Sequence, residues 1–176
     1  MTASKNFGGC VKKIRMAALS LFAFVSLIPS VRAQVDAKLA DAVKHAKVSL
    51  DAGLKASERE GKPISGKFEL DEGKLQLSIY TEKASKFYEV VIDHTSGKIA
   101  KTEEITNGDD LTAAKAQSAA MAHAKKSLRQ AVRDSQKMHK GFRAVSVTPE
   151  EKDSHPVASV TLVKNHETRT AIEKLD

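Results

Sequence analysis

Phe87 to Lys101, FYEVVIDHTSGKIAK, decides how the rest of the chain is read. Tyr88, Val90 and Ile92 alternate with Phe87, Glu89 and Val91, the period-two pattern of a strand with one face in the core. Asp93 ends the run, and His94-Thr95-Ser96-Gly97 supplies turn residues, Gly97 being the one that takes a left-handed backbone without strain. Lys98, Ile99 and Ala100 then return as a second strand. Working outward, the question is what this pair of strands packs against.

Upstream, Ile64, Gly66, Phe68 and Leu70 alternate with Ser65, Lys67 and Glu69. Asp71-Glu72-Gly73 reads as a hairpin turn, and Leu75, Leu77 and Ile79 alternate with Gln76, Ser78 and Tyr80. Glu82 to Lys86 is a polar connection. The links between these strands are too short for parallel crossovers, so the sheet is antiparallel. Before it, Leu39, Val43, Ala46, Leu50 and Leu54 recur at spacings of three and four, which predicts one helix from an Asp36 cap that fades near Gly53 or in the charged stretch before Gly61 and Pro63. Its face is expected to cover the sheet.

Thr106 to Asp110 is rich in turn residues, and a second helical pattern runs from Leu111 to His139. His45-Ala46-Lys47-Val48-Ser49-Leu50 reappears as His123-Ala124-Lys125-Lys126-Ser127-Leu128, 78 residues later. Val43 becomes Met121 and Leu54 becomes Val132 at the same offset, so both helices carry one stripe. Gly141-Phe142 echoes Gly66-Lys67-Phe68, and Phe142 to Val147 is a strand. Pro149 to Pro156 reads as a charged loop, Val157 to Val163 as a strand, Lys164 to Glu167 as a turn and Thr168 to Leu175 as a last strand. No counterpart of the return strand after Gly97 follows. The expected fold is α+β: residues 34–106 and 107–176 as two tandem repeats, each one helix packed on a small antiparallel sheet. At about 70 residues a half barely buries enough surface to fold alone, so the halves should join, as adjoining sheets or as one sheet with both helices on the same side.

The formal charge of +7 resides mostly in residues 1–33, which hold Lys5, Lys12, Lys13, Arg15 and Arg32 and no acid. Removing those five from the 29 basic residues leaves 24 against 22 acidic ones. This segment has a basic start, an apolar run from Met16 to Ile28 and a short polar end after Pro29, the three parts of a secretory signal. Small side chains at Val31 and Ala33 place cleavage between Ala33 and Gln34. The apolar run is shorter than the roughly 20 residues of a membrane span, so the expected product is exported, periplasmic or secreted, without stable membrane insertion. Cys10 is the single cysteine and leaves with the leader, which excludes disulfide and thiolate chemistry downstream. The chain has no Trp and few rings, which argues against a stacking groove for nucleic acid.

The helix, the strands and Tyr88 to Asp93 followed by Thr95-Ser96-Gly97-Lys98-Ile99 resemble the PepSY domain family over about residues 37 to 105. Residues 111 to 176 resemble it less, lacking the Asp93-to-Gly97 type of turn. The resemblance implies an exported regulatory or binding module whose partner is an envelope protein, a secreted or periplasmic peptidase in particular.

No catalytic or cofactor-binding set is expected from the residues themselves. Asp41 and His45 are one helical turn apart, and with His94 and His123 they are the candidates for a metal-dependent hydrolase, but three or four ligands are needed and no such cluster is visible. His166-Glu167-Thr168-Arg169-Thr170 begins like a zinc-peptidase HExxH motif without its second histidine. The alternative function is anion or acidic-protein binding: Lys126, Arg129, Arg133 and Lys137 fall on one face of the second helix, a basic stripe suited to an acidic surface.

Overall fold

The computed structural model of the protein describes residues 37–176. The leader, the Ala33/Gln34 cleavage and the Asp36 cap lie outside the described residues. Alternation in the first half becomes three strands, β1 (Lys62–Asp71), β2 (Lys74–Lys83) and β3 (Lys86–Ile92), followed by β4 (Ile99–Ile105). The second half gives β5 (Arg143–Lys152), β6 (His155–Lys164) and β7 (Glu167–Lys174). All seven form one antiparallel sheet in the order β4-β3-β2-β1-β5-β6-β7. The protein is α+β, and the halves meet where β1 pairs β5, Gly66 opposite Val147 and Lys67 opposite Ser146.

Hairpins are tighter than the sequence suggests. Glu72 and Gly73 join β1 to β2, Ala84 and Ser85 join β2 to β3, and Asp153 and Ser154 join β5 to β6, every one of them at positive φ. That backbone twist matches the strands it links. The charged loop expected from Pro149 to Pro156 is therefore strand and two-residue turn. The strands of the halves begin 81 residues apart (Lys62 and Arg143, Lys74 and His155, Lys86 and Glu167). This register places Phe142 opposite Gly61 in the comparison, so the Gly141-Phe142 echo of Gly66 to Phe68 is a coincidence of spelling.

Each expected helix is two. In the first half α1 (Ala37–Lys44) and α2 (Leu50–Ser57) flank a break, as do α3 (Gly108–Ala122) and α4 (Leu128–Met138) in the second. The break is chemically specified. Lys47 and Val48 N–H groups both donate to the His94 carbonyl at 2.9 Å, and Lys125 and Lys126 donate to the Leu175 carbonyl at 2.7 and 2.9 Å. Ser49 and Ser127 then cap the next helix through their hydroxyls. A carbonyl at the end of a strand thus replaces the helical acceptors that the turn gives up.

The sheet is covered on both faces. Phe68, Leu77, Ile79, Val90, Ile92, Val147, Val160 and Leu162 are buried on one face with Leu50 and Leu54 of α2 and Leu128 and Val132 of α4. Gly66 lets α2 approach, since a Cβ there would sit 2.7 Å from Ile79 Cδ1 and 3.3 Å from Leu50 Cδ1. The opposite face carries Ser65, Lys67 and Tyr80, and α3 lies over it: Ser65 Oγ donates to Gln117 at 2.6 Å and Ser118 donates to Glu82. The expectation of one sheet with both helices on the same side holds for α2 and α4 and is corrected for α3, which lies on the other face. Residues 123–127 lead from α3, on one face, to α4 on the other, because α3 is alanine-rich and polar where α4 is strongly amphipathic.

Candidate interaction site

The Asp93 turn is built as its residues dictate. Asp93 Oδ1 accepts from Thr95 and Ser96 N–H at 2.9 and 2.7 Å, and Gly97, at φ 76°, donates to the Asp93 carbonyl at 2.8 Å. These backbone donors, Ser96 first, hold the Asp93 carboxyl below the usual aspartate range. Asp93 N–H then bonds the Lys98 carbonyl at 2.9 Å, which starts the β3–β4 ladder.

The same edge in the second half is open. Leu175 N–H donates inward to the Pro156 carbonyl at 2.9 Å. In an antiparallel pair successive residues alternate between facing the partner and facing away, so Thr168, Thr170, Ile172 and Lys174 point their N–H and C=O groups outward. These positions match Phe87, Glu89, Val91 and Asp93 of β3 at the 81-residue offset, the residues through which β3 holds β4. Among the described residues no strand pairs with the outer side of β7. Ile172 is 52% exposed, and Arg169 is bonded to Glu167 at 2.7 Å with its guanidinium 4.4 Å from the Phe142 ring centre.

The basic stripe is placed differently from expectation. Arg129 Nε donates to Asp51 at 3.1 Å, its Nη1 to Glu58 at 3.3 Å, and Arg133 Nη1 to Asp51 at 3.0 Å. Lys126 and Lys137 lie 3.7 and 3.6 Å from Asp134. The face expected in solvent is largely the α2–α4 joint, its cations already matched by carboxylates. The spacing of Asp51 and Glu58 on the first helix held the signal for this pairing.

Asp41 pairs with Lys44 at 2.7 Å, His45 and His123 are exposed, and His94 has a buried Nδ1 without a partner. Among the described residues no three His, Cys, Asp or Glu side chains gather as for a metal ion. His166 sits in the β6–β7 turn with Glu167 opening a strand, so the HExxH-like letters are not on a helix. A groove of about 250 Å³ at the sheet end, between Lys62, Pro63, Met121 and Leu128, is apolar with lysines at its rim. A smaller space under α3 is lined by Lys67 and Tyr80; Lys67 bonds Glu69 at 2.7 Å.

No described helix is long and apolar enough to cross a membrane. No protein-family model matches the chain, and no curated protein matches it. Among solved structures it is similar to that of a "putative lipoprotein" from Clostridium difficile 630, at 14% identity over 70% of this chain and 81% of that one, with a TM-score of 0.39. A likeness at that level identifies neither a family nor an activity.

Proposed function

We propose that the protein is an exported, non-enzymatic binding and regulatory protein of the cell envelope, its two halves PepSY-like repeats and its partner a secreted or periplasmic peptidase. The observation that carries this reading is the outer edge of β7. It presents the backbone groups that β3 uses to hold β4, in the half whose helix break, hairpins and strand order otherwise parallel the first. Further support comes from the leader sequence and from the recurrence of the Ser49 and Ser127 caps. The competing anion-binding reading draws little from the α4 arginines, since both already face Asp51.

The test is capture on the immobilised protein from periplasmic and secreted fractions, followed by a peptidase assay on whatever is retained. The expected result is one reproducibly enriched protein whose proteolytic rate changes with added chain. Repeated recovery of nothing above an unrelated bait would overturn the reading.

A further inference from the structure

Resting on that reading, we propose that the outer edge of β7 takes up an extended, acidic segment of the partner as an antiparallel eighth strand. The fold carries its own template for such a complex. β4 lies on β3 with Ile105 opposite Phe87, Glu104 opposite Tyr88, Glu103 opposite Glu89 and Lys101 opposite Val91. Carried across the 81-residue offset, the same strand would meet Thr168, Arg169, Thr170 and Ile172. A glutamate then falls opposite Arg169, a favourable cross-strand pair.

Three observations converge on this edge. The outward N–H and C=O groups of Thr168, Thr170 and Ile172 provide the ladder, the main-chain source of affinity in strand addition. The two large apolar side chains exposed among the described residues, Met138 at 80% and Ile172 at 52%, flank it. Met138 is one helical turn beyond Ser135, whose hydroxyl donates to Glu173 of β7 at 2.7 Å. Ile172 has the opposite parity from Glu173 and faces the other side of the sheet. Charge favours an acidic occupant: residues 164–174 carry Lys164, Arg169 and Lys174 against Glu167, which Arg169 already engages, and Glu173, which accepts from Ser135.

The probe is a synthetic peptide copied from residues 98–105, KIAKTEEI, with Lys98→Gln and Lys101→Gln so that its side chains are acidic, titrated into the isotope-labelled protein and followed by amide NMR. Shifts concentrated at residues 168–174 are expected. Thr170→Pro removes an outward N–H and leaves the β6 ladder intact, a position where an edge strand accepts proline. The variant should keep its melting temperature and bind the peptide at least about tenfold more weakly. N-methylation of the peptide at the residue copied from Glu103 should abolish binding, and at that copied from Thr102 should not. No shifts at millimolar peptide, equal binding by Thr170→Pro, or a dimer of the protein that Thr170→Pro dissolves would each overturn the proposal. Retention of the captured partner by Thr170→Pro would also overturn it while leaving the binding function standing. Absence of any partner for the unaltered protein would instead defeat the functional reading.

Discussion

The hydroxyls of Ser49 and Ser127, 78 residues apart, occupy the same position in the two halves: each accepts from the backbone N–H three residues on, at 3.2 Å in both cases. They fix where α2 and α4 begin, and so where each helical segment turns after leaving the strand-end carbonyl. Ser49→Ala and Ser127→Ala should each lower stability by about 0.5–2 kcal/mol. Urea denaturation of the single and double variants checks this. Being in different helices, the losses should sum, and a double variant no weaker than either single one would contradict independent caps.

Asp51 receives Arg129 and Arg133 together, and its side chain and that of Arg129 are only about a quarter exposed. Asp51→Ala should cost roughly 1–2 kcal/mol, between an exposed pair and a charge-assisted bond. The same variant removes the carboxylate that both guanidinium groups share, leaving Arg129 with Glu58 and Arg133 with Gln130. It should elute from a heparin column at higher salt than the unaltered protein, and unchanged elution would mean that α4 was never neutralised by α2.

Gly66 lies at the crossing of β1, β2, β5 and α2, where an added methyl would press on Ile79 and Leu50. Gly66→Ala should destabilise by about 1–3 kcal/mol through overpacking. Gly73→Ala meets nothing within 4 Å, so its cost is that of a left-handed backbone alone, and it should be the milder of the two in thermal melts.

The carboxyl of Asp93 titrates below its ordinary range because Ser96 and Thr95 N–H groups favour the charged form. Its contribution to stability is complete above the unfolded aspartate value and is lost as pH falls through the folded one. The stability gap between the unaltered protein and Asp93→Ala should therefore narrow between about pH 5 and pH 2. A gap that is flat in acid, or a carbon-detected titration midpoint above the ordinary value, would contradict the turn chemistry.

Much of the sheet was legible because β1 to β3 alternate cleanly and Gly73 and Gly97 mark two reversals. The β5–β6 hairpin was not, because Asp153 and Ser154 adopt positive φ without glycine, which local residue preference does not announce. The helix breaks were hidden by a stripe that continues through them: Val43, Ala46 and Leu50 are all buried, on both sides of the turn. The available signal was Ser49 and Ser127 themselves, inside the repeated six residues. That α3 crosses to the other face could not be read from apolar spacing, since Ala113, Ala114 and Gln117 approach the sheet by being small or polar. The open edge of β7 depends on strand order, a tertiary property. Its one trace in the sequence is the missing counterpart of the Asp93 turn.

The two margins of the sheet are unlike. Along β4 the central residues Lys101, Thr102, Glu103 and Glu104 are exposed and mostly charged, the usual guard against uncontrolled strand addition. At β7 the centre is Arg169, Thr170, Ala171 and Ile172, with a single charge. On the proposed reading, one guarded margin and one receptive margin would give a valence of one, a single strand joined and no more, which disfavours a self-propagating fibre.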